Sequence, residues 1–369
     1  MEGPPVLTAL RDTYPDASSA SSRDSVPGAQ PGAQPDTQSD LQSDIQPHSA
    51  ADSERDSEPG CAADVPARPV RAALSPSRAA DFLQCPLRYR FRVVDRLAEA
   101  PSPAAVRGTV VHAVLERLFD LPAPERTLAA ARSMLGPQWE RLLAEQPELA
   151  ALFPEDGPEQ GRQDGAADGA QDGGTALTDW LASADALVER WFSLEDPTRL
   201  EPAERELYVE TTLDDGLVLR GYVDRLDVAA TGEVRVVDYK TGRAPSELFE
   251  AKALFQMRFY ALVLWRTTGV VPRLLQLVYL GDGQVLRHAP DERELLATER
   301  KLRALWAAIE RAATTGDWRA NRSRLCDWCD HQALCPAWGG TPPPLPTHAV
   351  VRALDPRASA ATNPAEGER

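Results

Sequence analysis

Two short runs, Gly221-Tyr222-Val223-Asp224-Arg225-Leu226-Asp227 and Val236-Val237-Asp238-Tyr239-Lys240, constrain this chain more than anything else in it. The second is rich in β-branched and aromatic residues, and Thr231-Gly232 between them suits a tight turn, so the two read as an antiparallel hairpin. Side chains two apart on a strand point the same way, which puts Asp238 and Lys240 on one face and Val237 and Tyr239 on the other. Across such a hairpin Asp224 and Asp238 become neighbours.

Two carboxylates held that close repel unless a cation lies between them, and an oxygen-rich site of this kind suits Mg2+ or Mn2+. An ammonium beside the pair fits metal-assisted phosphodiester hydrolysis, with Lys240 orienting water or steadying negative charge as it develops. The plainer reading of the same residues is a salt-bridged hairpin in a soluble sheet. Only three of the forty basic residues are lysines, so the position of Lys240 is the more pointed.

The formal net charge of -16 looks wrong for a chain that handles nucleic acid, but it is unevenly spread. Residues 1–64 carry twelve acids against three Arg, and residues 154–179 carry seven against one, which leaves the remainder close to neutral. A basic groove is therefore compatible with the composition. No apolar segment is long enough for a membrane helix and no leader-like run follows Met1, so the expectation is a soluble, cytoplasmic protein.

Residues 1–71 are rich in Ser, Pro, Asp and Gln and read as a disordered acidic tail or, alternatively, a partner-binding segment. Residues 154–175, with repeated Asp-Gly steps, read as a flexible insertion, and 341–369 as a second tail. Between them, 72–340 form the expected folded domain. Ser75-Pro76 can cap a helix running to Gln84. Helices are predicted over 103–120, 125–146 and 176–194, followed by strands over 206–213, 217–228 and 233–240. A helix over 246–268, a strand over 274–280, a short strand and a helix over 291–313 complete an α/β core with a mixed sheet and flanking helices.

In the helix after Pro103, Gly108, His112 and Glu116 share one face, so His112 can look out beside the hairpin, as a ligand or as an ordinary structural histidine. Lys252, Gln256 and Tyr260 share a face of the later helix, suited to a phosphate backbone or to a plain amphipathic surface. Cys326-x2-Cys329-x5-Cys335 lacks one ligand of a four-thiolate site. Cys85, at a helix end and followed by Pro like Cys335, is the natural fourth. Such a set would staple the first and last ordered elements around zinc or an iron-sulfur cluster; in a zinc site His331 could replace Cys85.

Together, Cys85-Pro86-Leu87-Arg88-Tyr89, Gly108-Thr109-Val110-Val111-His112, Gly221-Tyr222-Val223-Asp224, Asp238-Tyr239-Lys240, Gln256-Met257-Arg258-Phe259-Tyr260 and the cysteine set resemble the RecB-type branch of the PD-(D/E)XK nucleases, which have a restriction-endonuclease-like core. Within that branch they are most similar to its iron-sulfur subgroup, which includes AddB-type nuclease domains and CRISPR-associated exonucleases. The resemblance implies that His112, Asp224, Asp238 and the Tyr239 carbonyl bind the catalytic metal, that Lys240 is the catalytic lysine, and that Gln256 and Tyr260 touch DNA. It also implies a 4Fe-4S cluster on Cys85, Cys326, Cys329 and Cys335. Cys61 matches nothing in it.

No G-x-x-x-x-G-K-[ST] motif occurs, so ATP-driven unwinding would fall to a separate helicase. The expected activity is a DNA exonuclease acting on ends or single strands in repair or recombination. The competing readings are a non-catalytic DNA-binding scaffold for a helicase and a CRISPR spacer-processing nuclease.

Overall fold

In the computed structural model, residues 73–154, 173–246 and 250–345 are described. The tail expected over 1–71, with Cys61, lies outside them, as do most of the expected insertion and most of the C-terminal tail. The chain builds a six-stranded mixed sheet between two helical layers.

Strand β1 (Ala73–Leu74) leads into α1 (Pro76–Gln84), which Ser75 caps by accepting from the Arg78 amide, with Pro76 at the first position as the sequence predicts. Three longer helices follow: α2 (Pro103–Leu118), α3 (Leu128–Glu145) and α4 (Gly173–Leu194). Helix α4 begins three residues earlier than its apolar pattern suggests. Strands β2 (Glu204–Thr212), β3 (Val218–Val228) and β4 (Val234–Lys240) form the expected antiparallel meander. Helix α5 (Glu250–Thr268) then crosses to β5 (Leu274–Tyr279), which pairs parallel to β4; β6 (Gln284–His288) closes the sheet. Helix α6 (Glu292–Thr315) is capped by Asp291 and stopped by Gly316 in the left-handed region.

Strand alternation sorts the core. Val234, Val236, Leu275 and Leu277 face one layer, where α1, α5 and α6 pack. Val237, Tyr239, Val278 and Leu280 face the other, formed by α2, α3 and α4 with Trp139, Trp180 and Trp191. Both faces of β4 and β5 are therefore buried, which is why these strands read as nearly continuous apolar runs.

The sheet is forked. Strand β4 pairs with β3 only from Arg225 to Val228, whereas the two-residue β1, too short to be legible in the sequence, pairs parallel to β3 at Val218 and Leu219. Between these stretches the edge of β3 is left open, and Asp224 stands at the first position of the gap.

Candidate active site

The fork sets the geometry. Arg225 pairs with Val237, so Asp224 would face Asp238 on the next rung, but the strands part there. In place of a ladder bond, the Tyr239 amide donates to Asp224 Oδ2 at 2.7 Å. The regular alternation of β3 breaks at the same point: Val223 and Leu226 both enter the core beneath α5, while Arg225 turns to the opposite face. Directly across β2 lies Glu206, with φ of 45°, a left-handed backbone that non-glycine residues rarely adopt. Strain of this kind persists where surrounding structure enforces it, and here it swings a carboxylate into the gap.

His112 reaches the same gap from α2. Its Nε2 lies 3.0 Å from the Tyr239 carbonyl oxygen, and its Nδ1 lies 3.5 Å from Asp224 Oδ2 and 4.0 Å from Glu206 Oε1. Gly108, one turn earlier, lets the helix approach the end of β4: a Cβ there would sit 3.3 Å from Thr241 Oγ1. Ligand atoms of His112, Glu206 and Asp224 all fall within 4.8 Å of one another.

Asp238 and Lys240 share a face, as the period of two requires. Lys240 Nζ lies 2.7 Å from Asp238 Oδ2 and donates to Gln256 Oε1 at 3.0 Å. Gln256 in turn donates from Nε2 to Asp238 Oδ1 at 2.9 Å and to the Tyr260 hydroxyl at 3.0 Å. Asp238 is 1% exposed, and its Oδ2 has the lysine's charge beside it but no aligned hydrogen-bond donor. Tyr260 is itself buried, its ring lying over Gly221, and it contributes through Gln256.

Crowding leaves its mark on the acids. Burial, then the neighbouring Asp224, push the Asp238 carboxyl up to about 6, against the pull of Lys240. Burial, followed by Asp224, Glu116 and Asp238, pushes Glu206 up to about 8. A cluster of acids that resists ionisation this way is one a divalent cation would relieve. The buried Asp238 Oδ2, without a hydrogen-bond donor, and the His112, Glu206 and Asp224 atoms so close together are a donor set that fits a hard divalent ion.

Behind the site, on the opposite face, Arg225 is 1% exposed and donates to Glu195 through two bonds of 2.8 Å, with Asp227 at 3.1 Å. Trp191 Nε1 donates to the same carboxylate at 2.8 Å, and the Tyr239 hydroxyl bonds both Arg225 and Glu195. This network clamps β3 to β4 at their last shared rung.

Each of the proposed site residues on β3, β4, α2 and α5 is thus in one neighbourhood. Glu206 is the one that sequence reasoning missed. The signal was present: the hairpin turns at Asp215, and nine positions back from it lies Glu206, just as Asp224 lies nine positions forward.

The cysteines form a second cluster. Cys85, Cys326, Cys329 and Cys335 line one cavity between the end of α1 and the C-terminal turns. Cys85 Sγ accepts from the Asn321 amide at 3.4 Å and Cys326 Sγ from the Ser323 amide at 3.3 Å, while burial raises the Cys329 thiol. His331 does not line that cavity. Its Nε2 is 3.1 Å from Glu99 Oε1 and its ring meets Phe91 edge-on, so it is not positioned to replace Cys85. The same termini are held by Trp318 stacked on Tyr89 at 5.9 Å, with Phe82 edge-on to both.

Among the described residues, no helix is long and apolar enough to cross a membrane. The Gene 69 protein of Mycobacterium phage D29 is 30% identical over 203 residues, covering 53% of this chain and 70% of that protein. Among solved structures, a candidate exonuclease from Eubacterium rectale aligns with a TM-score of 0.43 at 12% identity, over 70% of this chain and 88% of that one. The family model of the PD-(D/E)XK nuclease superfamily matches residues 73–336, which takes in both acid-bearing strands, His112 and all four clustered cysteines. The chain belongs to the PD-(D/E)XK nuclease superfamily.

Proposed function

We propose that this nuclease is a divalent-metal-dependent DNA exonuclease of RecB type, acting on ends or single strands in repair or recombination. The observation that carries the reading is the joint approach of His112, Asp224 and Asp238 to the fork, with Lys240 held 2.7 Å from Asp238. Asp224, Asp238, His112 and the Tyr239 carbonyl would hold Mg2+ or Mn2+, with Glu206 as a further carboxylate. A divalent ion there would lend positive charge to the scissile phosphate and make the attacking water more acidic.

The chain's own residues do the rest. Gln256 bridges Asp238 and Lys240, fixing the carboxylate and the ammonium relative to each other. Lys240 Nζ is thereby aimed at the place where negative charge builds on the phosphoryl oxygens, and an ammonium fixed before reaction needs no reorganisation as that charge appears. Tyr239 couples the two acids, since its amide holds Asp224 while its side chain anchors β4 in the Arg225–Glu195 clamp.

The four cysteines would hold a 4Fe-4S cluster that staples the ends of the domain. What supports a shared centre is that all four cysteines line one cavity between the end of α1 and the C-terminal turns. Iron and sulfide content of anaerobically purified protein tests this; stoichiometric zinc without iron would overturn the cluster and leave the nuclease reading intact.

For the activity itself, purified protein is incubated with end-labelled single-stranded and duplex DNA plus Mg2+ or Mn2+. Metal-dependent release of nucleotides from ends is expected, and it should vanish in Asp238→Ala and Lys240→Ala. Cleavage that survives in both variants, or binding without cleavage under either ion, would refute the proposal.

A further inference from the structure

We infer that the groove beside the fork binds a single strand of DNA, with Tyr208 and Tyr222 as the stacking platform for a base next to the phosphate being cut. This rests on the nuclease reading and adds to it the form of the substrate and the residues that select it. The groove, about 840 Å3, runs between α1, α5 and the open edge of β3. Lys240 and Gln256 lie both in its wall and against Asp238, so the groove opens into the catalytic site.

Its charge is the first argument. Among the described residues the wall carries Arg220, Lys240, Lys252 and Lys301 and no carboxylate, in a chain with 56 acids and a net charge of -16. All three lysines of the protein converge on it. A groove so biased in an acidic protein suits a polyanion, because each phosphate neutralised releases condensed counterions.

The aromatic pair is the second. Tyr208 and Tyr222 are directly paired across β2 and β3, with ring centroids 5.2 Å apart and planes tilted by 56°. They are 40% and 41% exposed, although nearly every other large aromatic of the sheet is buried. The Tyr208 hydroxyl donates to Glu210, which fixes that ring at the groove's edge. Tyr222 is two residues from Asp224, so along the strand the ring is anchored no more than about 7 Å from a catalytic acid.

Rings standing in a cationic groove can stack on bases only where those bases are unstacked from each other, which a duplex forbids and a single strand allows. Stacking is also blind to sequence, because every base has a π-face. The resulting preference is for single strands of any sequence.

Binding is read by fluorescence anisotropy of a labelled oligothymidylate and of a blunt duplex, in chelator so that nothing is cut, across a salt series. Wild type should prefer the single strand, and a Tyr208→Ala/Tyr222→Ala double variant should lose roughly 10- to 100-fold in single-strand affinity. The Tyr208→Phe/Tyr222→Phe variant should retain it, since the rings remain. Lys252→Ala and Lys301→Ala should each flatten the slope of log affinity against log salt by about 0.7.

Hydrolysis of bis(p-nitrophenyl) phosphate with Mn2+ by the wild type reads the catalytic centre independently of strand binding, and thermal melts confirm that the variants fold. If folded double-alanine protein binds the single strand as wild type does, or if wild type prefers the duplex, the groove assignment is overturned. If wild type fails on both the small diester and DNA yet still binds single strands through the tyrosines, it is the nuclease reading that fails.

Discussion

Removing Glu195 tests the clamp behind the active site. Its carboxylate takes two 2.8 Å bonds from Arg225 and one of 2.8 Å from Trp191, and the Arg225 side chain is 1% exposed. Glu195→Ala leaves a buried guanidinium with Asp227 as its remaining carboxylate partner. Breaking a buried pair from one side costs about 3–5 kcal/mol, which for a domain of this size is a fall in Tm of about 6–20 °C. Replacing both partners, as in Glu195→Leu/Arg225→Met, should recover most of the loss, because apolar side chains of similar volume need no counter-charge.

The pH dependence has a definite sign. Burial pushes the Glu195 carboxyl up, but the bonds and charge of Arg225 outweigh it, so the folded value lies below the ordinary 4.5. A depressed carboxylate contributes stability that is present above pH 4.5 and lost as pH falls through the folded value. The Tm gap between wild type and Glu195→Gln should therefore close on acidification below pH 4.5 and stay constant near neutrality. Since the clamp sits on the last rung shared by β3 and β4, Glu195→Gln should also lower kcat more than it raises KM. Thermal melts across pH read the first effect and steady-state cleavage the second. A Glu195→Ala protein melting within 2 °C of wild type (less than about 1 kcal/mol) would refute the argument.

Lys240→Ala should slow the cleavage step by about 100- to 1000-fold in single-turnover assays at saturating protein, as for other preorganised charge stabilisers. Asp238→Asn should abolish cleavage yet raise Tm in metal-free buffer. Burial lifts that carboxyl to about 6, so its cost to the fold is absent below pH 3.8 and grows as pH rises to about 6; the gain in Tm should follow the same course. Gly221→Ala would place a Cβ 2.7 Å from Tyr260 Cε1, and should cost about 1–3 kcal/mol by denaturant titration while disturbing Gln256. If the four cysteines hold the proposed cluster, Cys329→Ser should bleach the protein and destabilise it by several kcal/mol, because binding energy at such centres is folding energy.

What could be read from the sequence was local. The period of two places Asp238 and Lys240 together and Tyr239 behind them, and the turn at Thr231-Gly232 brings Asp224 up to Asp238. The rest depends on departures from regularity or on distant contacts. Glu206 enters the site through a left-handed backbone that no strand pattern anticipates. Arg225 is neutralised by Glu195 from α4, thirty positions away, a partner that no local pattern supplies. The groove's charge is hidden within a net -16, since its cations come from β3, β4, α5 and α6 and converge only in the fold. His331 shows the opposite error: its proximity in sequence to Cys329 suggested a ligand, yet its ring is taken by Glu99 and Phe91.

Crystals grown with Mn2+ and measured at the manganese edge test the central claim most directly. The anomalous map should show a peak at the fork, within roughly 2.1 Å of Asp224 and Asp238 oxygens and a His112 nitrogen, and within reach of Lys240. A peak bound elsewhere, or none at the fork at saturating Mn2+, would contradict it.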